Sequence, residues 1–337
     1  MRAVSSPHPA LPPVGTTPVV DVAVTVHGVE RRLRLKLESH NPQGSLKDRI
    51  AVFLIEDVAD RIDKDIGIIE STSGNLGVAM AAECQERGIP FNAVVDPRTS
   101  SFFVDRIREL GARVTVVDEP DSSGGYLLNR IRHVREQLRT RPGLVWTNQY
   151  RSEANPRAHF ATTAPELRQQ VPGPATLLVP VSTGGTLAGL ARYVAETDVP
   201  WTLVGVDVHG SAALGGAPPG RRLLSGIGAS CPSYFLPADR AQAQYVDVGD
   251  AIAACLWLSE HAGIGVGGSS GATVAAALRL FGEDPDTHEL VCLCPDGADR
   301  YLSTVYHPGW RAAHGITAAR IGGVTAPGGA DPAEAWG

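Results

Sequence analysis

The sequence predicts an α/β fold with parallel sheets. Short apolar runs alternate with stretches of helical periodicity along almost the whole chain, which is the pattern of successive βαβ units. The 337 residues suggest two domains or one large unit, and 43% hydrophobic with 20% charged residues is typical of a globular enzyme. No apolar run reaches the roughly 20 residues of a membrane-spanning helix, and the N-terminus lacks the apolar core of a secretory signal. We therefore expect no membrane partner.

The predicted elements form two series along the chain. Ser45 and Asp48 have the spacing of a capping box at the first helix, and Gly88 and Gly111 cap two later helices. The expected strands are 32–37, 66–69, 91–95, 113–117, 144–147, 176–181, 202–207 and 289–294. The expected helices are 45–60, 75–87, 103–110, 124–138, 156–169, 186–195, 251–261 and 272–280. Residues 1–13 and 316–337, rich in Pro or in Gly, Ala and Pro, are expected to be mobile tails.

Charge and residue usage exclude several function classes. A net charge of −6 without a basic block argues against a nucleic-acid partner. The five cysteines form no CxxC pair and the ten histidines show no metal-ligand spacing, so we expect reduced thiols, a cytoplasmic location and no metal site. The Gly-x-Ser-x-Gly elbow of many hydrolases is absent. Only Lys36, Lys47 and Lys64 are lysines, so a nucleophilic amine would have three candidates.

Lys47 lies in the motif NPQGSLKDR, residues 41–49, where a Gly-Ser turn precedes a helix. The positive end of a helix disfavours an ammonium, so the pKa of Lys47 is expected to be lowered and its free amine favoured. A lysine that forms a Schiff base needs this property. A surface lysine at a capped helix start is the alternative for this motif taken alone.

Three further loops, rich in serine and glycine, lie at the starts of predicted helices. STSGNLG, residues 71–77, offers hydroxyls and backbone N–H groups to a carboxylate, although simple N-capping is the alternative. STGGT, residues 182–186, suits a phosphate but is no Walker A loop, and a plain turn is its alternative. GGSSG, residues 267–271, opens a late helix. Residues 263–268 also match GxGxxG, which keeps a nicotinamide dehydrogenase as a disfavoured alternative because the match comes late in the chain.

In this order, the motifs resemble those of the fold type II pyridoxal-phosphate enzymes, the cysteine synthase and cystathionine β-synthase family. VGTTP, residues 14–18, resembles the family's N-terminal signature, and the four motifs above resemble its lysine, substrate, phosphate and pyridine-nitrogen loops. The resemblance covers about residues 14–310. It implies two open α/β domains of the tryptophan synthase β type with pyridoxal 5'-phosphate between them. Residues 14–50 and 151–315 would form the large cofactor-binding domain and 51–150 the smaller substrate-binding domain, in a homodimer.

The resemblance also implies roles for individual residues. Lys47 would hold the cofactor as a Schiff base and later move the substrate's α-proton, and Asn75 would bind the cofactor's ring hydroxyl. Ser269 would face the pyridine nitrogen, whose neutral form would suit β-elimination. The cofactor's phosphate would be bound by Ser182, Thr183, Gly184, Gly185 and Thr186. The substrate carboxylate would be bound by Ser71, Thr72, Ser73 and Gln149.

Stretches such as IIESTSGNLG, WTNQY and PDGADRYLSTVY resemble more particularly the synthase that supplies 2,3-diaminopropionate for the siderophore staphyloferrin B. That resemblance implies the joining of O-phospho-L-serine to L-glutamate, with phosphate released, for a siderophore or an antibiotic. Phe102 and Phe103 depart from the cysteine synthase pattern, which favours a nucleophile other than sulfide. Arg130, Arg221 and Arg222 are candidates to bind the phosphate leaving group, although each could be a surface arginine. Cysteine synthase, serine/threonine dehydratase and a non-catalytic binding protein stay open as alternatives.

Overall fold

Two β-sheets and the helices packed on them make up the part of the chain that the structure describes. This structure is a computed structural model and describes residues 14–121, 124–215, 220, 222–236, 241–283, 289–316 and 324–325. The strands are β1 (Val19–Val26), β2 (Val29–Leu37), β3 (Ile68–Ser71), β4 (Phe91–Val95), β5 (Arg113–Val116), β6 (Val145–Trp146), β7 (Ala175–Pro180), β8 (Trp201–Val208), β9 (Ala241–Val246), β10 (Leu290–Cys294) and β11 (Val324–Thr325). The helices are α1 (Lys47–Glu56), α2 (Asn75–Arg87), α3 (Ser101–Glu109), α4 (Leu127–Thr140), α5 (Ala154–Ala158), α6 (Ala164–Gln170), α7 (Gly185–Thr197), α8 (Val248–His261), α9 (Gly268–Glu283) and α10 (Pro308–Ala313). Short 3-10 helices lie at Glu38–His40, Ala59–Arg61 and Ala298–Tyr301, and a π-helix at His159–Thr163 joins α5 to α6.

The strand order explains where a ligand can bind. The larger sheet has the order β11-β1-β2-β10-β7-β8-β9, and the smaller sheet has the order β5-β4-β3-β6. All pairs in the smaller sheet, and all pairs from β2 to β9 in the larger one, are parallel. β1 pairs antiparallel with both β2 and β11. The predicted α/β fold with parallel sheets is confirmed, and its ligand edge is the one at which the parallel strands end.

Several elements differ from the prediction. β1, β9, β11 and α10 were not predicted, and the predicted helix 156–169 is interrupted by the π-helix. The first helix begins at Lys47, and Ser45 Oγ accepts from the backbone N–H of Lys47 at 3.2 Å, so the serine half of the expected capping box is present. The Asp48 carboxylate accepts most closely from the backbone N–H of Gln43, at 2.6 Å, and the backbone of Ser45 also forms an isolated antiparallel bridge with Asp296. Residues 1–13 lie outside the described residues, and within 316–337 the structure describes 316 and β11 alone.

The helices pack on the two sheets through their buried apolar faces. α8 and α9 pack on the larger sheet through side chains such as Leu258 and Val274, while α7 packs against β7 and β8. α1 and α2 pack together with β3 and β4 in a separate cluster that includes Leu54 and Met80. Among the helices that the structure describes, none has both the length and the apolarity to cross a membrane.

A buried network of charges ties α1 to the end of β2. Arg49 on α1 donates from Nε and Nη2 to the two carboxylate oxygens of Glu38, at 2.7 and 2.9 Å. The same Nη2 donates to Glu166 at 2.8 Å, and Lys36 forms an ion pair with Glu166 as well. Arg49 and Glu38 are both buried, so neither charge can be solvated if its partner is lost.

We expect Arg49→Ala to lower the free energy of unfolding by about 3–5 kcal/mol, since it leaves Glu38 charged and unpaired in the interior. Arg32→Ala is the matched control, because Arg32 is 60% exposed and pairs with Asp21 on the surface. Its loss should cost at most about 1 kcal/mol. Urea unfolding of the two variants measures the difference, and equal small losses would contradict the structural role assigned to Arg49.

Candidate active site

Five loops meet at the ends of the parallel strands. In the larger sheet, residues 38–47 follow β2, residues 295–297 follow β10, and residues 182–186 follow β7, three strands that are neighbours. From the smaller sheet, residues 72–74 follow β3. The segment before α9 joins them, since Gly267 donates its N–H to Asp296 O at 3.1 Å. The sequence motifs, which are up to about 250 residues apart, therefore converge on one site.

Lys47 is the lysine that the fold presents at this site. Lys36 is buried, donates to Thr17 O and Gln170 Oε1, and pairs with Glu166, so its ammonium is fully engaged. Lys64 lies on the surface. Lys47 is half-buried at the first position of α1, and desolvation lowers its pKa, opposed by the negative charges of Asp296 and Glu38. The expected lowering of the pKa is thus present, with burial as its largest cause.

Arg300 holds the turn that precedes Lys47. Its guanidinium donates to Gly44 O at 2.6 Å and to Gln43 O. Gly44 has a φ of +77°, and a Cβ at this position would lie 2.8 Å from Arg300 Nη2. The backbone of Leu46 also donates to Pro295 O at 2.8 Å. The glycine in the lysine motif is therefore required by both the left-handed turn and the close approach of Arg300.

Asp296 connects Asn75 to this turn. Asn75 Nδ2 donates to Asp296 Oδ2 at 2.6 Å, and the hydroxyl of Tyr301 donates to the same oxygen at 2.5 Å. Burial raises the pKa of Asp296, while the hydrogen bond from Tyr301 and the charges of Arg300 and Lys47 lower it. Asn75 Oδ1 and Asp296 Oδ1 are buried without a hydrogen-bond partner among the described residues. The PDGADRY motif served in the sequence analysis only as part of the family resemblance, and no role was predicted for Asp296.

Glu70 organises the loop after β3. Its buried carboxylate accepts from the backbone N–H groups of Ser71 and Gln149 and from the side chains of Thr147 and Trp146, at 2.6–3.2 Å. Gln149 in turn donates from Nε2 to Ser71 O at 2.8 Å. Ser71 and Gln149, predicted as neighbours in one site, are thus brought together by a residue that the sequence analysis missed. Thr72 is buried beside them, whereas Ser73 is exposed.

Residues 182–186 form a cradle of two glycines and two threonines at the start of α7. Gly184 has a φ of +83°, and a Cβ there would lie 2.0 Å from Ser233 Oγ. A Cβ on Gly185 would lie 2.0 Å from Asn155 Oδ1, so neither glycine can be replaced without displacing a neighbour. Ser182 Oγ donates to Gly228 O at 3.2 Å, which uses its hydroxyl proton within the protein. The backbone N–H groups that open α7 make this cradle suited to an anion.

Ser269 contributes a buried hydroxyl without a protein partner. It is the second residue of α9 and has no exposed surface, and its Oγ finds no hydrogen-bond partner in the described parts of the chain. Gly226 approaches it closely, since a Cβ on that glycine would lie 3.6 Å from Ser269 Oγ. A buried hydroxyl without a hydrogen-bond partner lowers the stability of the fold, unless a bound ligand forms the hydrogen bond.

The predicted arginines have different surroundings. Arg130 on α4 is buried, and its Nε lies 3.4 Å from Asp96 Oδ2 while Nη1 has no hydrogen-bond partner among the residues described. Arg222 donates to Ser230 Oγ at 2.9 Å, and desolvation lowers its pKa. Arg221 lies outside the described residues. Tyr150 is a third residue that the sequence analysis missed. Burial raises its pKa, and the charge of Arg130 partly offsets that effect.

Comparisons with known proteins agree with this geometry. The family model described as pyridoxal-phosphate dependent enzyme matches residues 10–296. The chain is 42% identical to the N-(2-amino-2-carboxyethyl)-L-glutamate synthase of Ralstonia nicotianae, covering 92% of each chain. It is 39% identical to the synthase of the same name from Cupriavidus metallidurans, covering 89% of each. The structure of an O-acetylserine dependent cystathionine beta-synthase from Helicobacter pylori superposes with a TM-score of 0.78 at 31% identity, covering 87% of this chain and 97% of that one.

Lys47→Ala is expected to abolish covalent attachment of pyridoxal phosphate, because the other two lysines are engaged elsewhere or lie on the surface. Borohydride reduction of protein loaded with pyridoxal phosphate, followed by peptide mass spectrometry, measures the attachment. Lys64→Ala is the control and should still be labelled at Lys47. Specific labelling of Lys36 in the native protein would contradict the site.

Proposed function

The chain belongs to the family of pyridoxal-phosphate dependent enzymes, and on that premise we propose that it joins O-phospho-L-serine to L-glutamate. The products would be N-(2-amino-2-carboxyethyl)-L-glutamate and phosphate. In this β-replacement the bond from the serine β-carbon to the phosphate oxygen breaks and a bond to the glutamate nitrogen forms. The observation that carries the proposal is that relatives of this name are 39–42% identical over about nine-tenths of the chain.

The unpartnered polar groups of the site support a definite placement of the cofactor. We assign Lys47 to its aldehyde carbon, Asn75 to its ring hydroxyl and Ser269 to its pyridine nitrogen. Its phosphate is assigned to the cradle of residues 182–186, with Thr183 and Thr186 as hydroxyl donors. When bound, the cofactor supplies an electron sink that stabilises negative charge at the substrate α-carbon. The free atoms Asn75 Oδ1 and Ser269 Oγ, for which the described residues offer no partner, support this assignment.

Lys47 is proposed as the base that takes the substrate's α-proton. Its lowered pKa favours the free amine, and the negative charge of Asp296 keeps the amine basic enough to accept a proton. The serine hydroxyl at position 269 is an uncharged partner for the pyridine nitrogen, which keeps the electron sink weak. A weak sink suits a reaction in which a good leaving group departs at once.

The substrate carboxylate is assigned to Ser71, Thr72, Ser73 and Gln149. Glu70 supports this assignment, because its carboxylate accepts from the backbone N–H groups of both Ser71 and Gln149 and so holds the two segments together. Phe103 packs behind Gly74 of the same loop, with ring carbons 3.9–4.0 Å from where a Cβ would lie. One of the two phenylalanines that depart from the cysteine synthase pattern therefore contacts the loop assigned to the substrate.

The leaving phosphate needs a cation, and Arg130 is the stronger of the described candidates. It is buried beside Tyr150, and its Nη1 has no hydrogen-bond partner within the described ranges. Arg222 is the second candidate, with Nη1 likewise unpartnered in the part of the chain that the structure describes. Arg221 is the third candidate for binding the leaving phosphate, and it is proposed from the sequence alone.

The organisation of the protein is proposed from the same family. The division into a domain of residues 14–50 and 151–315 and a smaller one of residues 51–150 is supported by the two sheets, since β3–β6 all fall within the second range. The homodimer and the supply of 2,3-diaminopropionate to a siderophore or peptide product rest on the family likeness alone. The cytoplasmic location is supported by the cysteines, which are all free and, apart from Cys231, buried.

We expect the enzyme to release phosphate from O-phospho-L-serine and to form the glutamate adduct when both substrates are present. Mass spectrometry of the products, with L-glutamate and sulfide offered together, distinguishes the proposal from a cysteine synthase. A glutamate adduct as the main product supports the proposal, and cysteine as the main product refutes it. Pyruvate without either adduct would indicate a dehydratase.

Arg130→Ala is expected to raise the KM for O-phospho-L-serine by about tenfold or more, because a charge-assisted contact to phosphate is lost. Arg132→Ala is the matched control on the same helix, since Arg132 is 68% exposed and should leave KM unchanged. O-acetyl-L-serine serves as a second substrate without the charge. An equal loss with both substrates would mean that Arg130 acts through the fold rather than on the leaving group.

A further inference from the structure

Both threonine hydroxyls of the cradle have polar side chains behind them. Asn155 and His159 lie on α5 and the π-helix, which pack against α7, and both are buried. Asn155 Nδ2 lies 3.1 Å from Thr183 Oγ1, and His159 Nε2 lies 3.1 Å from Thr186 Oγ1. Neither residue was singled out from the sequence. Their positions bear on the direction in which each hydroxyl can donate.

The direction at Thr183 follows from the structure. Asn155 Nδ2 also donates to Gln149 O at 2.8 Å, and a carbonyl oxygen can only accept, so the orientation of the amide is determined. Thr183 Oγ1 therefore accepts from Asn155, and it accepts from the backbone N–H of Gly185 at 3.4 Å as well. Both lone pairs of the hydroxyl are then used, and its proton is left to donate to a bound anion.

The direction at Thr186 depends on the tautomer of His159. Its Nδ1 lies 3.0 Å from Thr163 Oγ1, so the ring sits between two hydroxyls. Burial lowers the pKa of His159 well below its usual value, with the charges of Lys47 and Arg49 adding to the effect, so the ring is neutral. If Nε2 carries the proton, Thr186 accepts and its own proton is free for the cradle. If Nδ1 carries it, Thr186 donates to the ring and presents lone pairs, which an anion would repel.

We propose that Asn155 and His159 are positioning residues that turn both cradle hydroxyls toward an anion, with His159 held in the Nε2–H form and Thr163 donating to Nδ1. The inference rests on the proposed function, because the anion is the phosphate of the bound cofactor. Local packing supports it: a Cβ on Gly189 of α7 would lie 2.7 Å from His159 Cβ. Glycine at that position lets the imidazole reach the cradle.

Nitrogen NMR of the holoenzyme tests the tautomer directly. In long-range proton–nitrogen spectra of protein with labelled histidine, His159→Gln identifies the His159 signals by their disappearance. We expect a neutral ring with its proton on Nε2 from about pH 6 to about pH 8. A proton on Nδ1, or a charged ring, would overturn the proposal. A chain that binds no pyridoxal phosphate would instead refute the proposed function, which separates the two failures.

Variants of the neighbouring threonines provide a matched pair. Thr163→Val removes the donor to Nδ1 and is expected to abolish the preference for Nε2–H. It should also shift the phosphorus NMR signal of the bound cofactor. Thr162→Val is the control, because Thr162 Oγ1 donates to Ala158 O at 2.6 Å and does not contact the ring. An unchanged tautomer in Thr163→Val would contradict the role of Thr163.

Substitutions of His159 test the donor itself. His159→Leu should weaken binding of pyridoxal phosphate by about tenfold or more, as is usual when a residue that orients a ligand-binding group is lost. His159→Gln, whose amide nitrogen can reach the same oxygen, should restore most of the affinity and the phosphorus signal. Equal losses in the two variants would mean that His159 only fills space.

Discussion

The position of Lys47 depends on the buried ion pair between Glu38 and Arg49. Glu38 directly follows β2 and Arg49 lies two residues after the lysine, so the pair joins the sheet to the first turn of α1. A buried pair of this kind adds little net stability compared with apolar packing, but breaking it leaves one charge without solvent. The pair therefore acts mainly as a constraint on geometry, and Arg300 completes it from the other side by holding Gln43 and Gly44.

Asp296 extends this constraint to the other loops of the site. Its backbone forms a β-bridge with Ser45, and its side chain accepts hydrogen bonds from Asn75 and Tyr301. Gly267 also packs closely against it, since a Cβ on that glycine would lie 2.0 Å from Asp296 Oδ1. One segment after β10 thus aligns the lysine turn, the asparagine and the start of α9. The buried atoms left without protein partners in the described residues, Asn75 Oδ1 and Ser269 Oγ, carry a desolvation cost that a bound cofactor would remove. This polar arrangement is suited to a ligand rather than to stability.

The sequence predicted the fold class and most elements, because apolar periodicity and glycine caps are local signals, and α2 and β4 have the predicted bounds. It also identified the site loops, whose Ser, Gly and Lys residues are contiguous. It could not identify Glu70, Asp296 or His159, since each acts through partners that are distant along the chain. The expected capping box forms only in part, since Ser45 Oγ accepts from Lys47 while Asp48 binds the backbone of Gln43. The bridge from Ser45 to Asp296 is likewise a contact between distant residues that no local pattern indicates. The residue roles and the domain boundaries stay predictions.

A crystal structure of the enzyme with pyridoxal phosphate tests the account most directly. We predict a covalent bond from Lys47 Nζ, the pyridine nitrogen at Ser269 Oγ and the phosphate against Thr183 and Thr186. Asn75 should keep its hydrogen bond to Asp296 while its amide also contacts the ring hydroxyl. A cofactor attached to another lysine, or a phosphate bound outside the cradle, would contradict the central claim that these loops form one cofactor site.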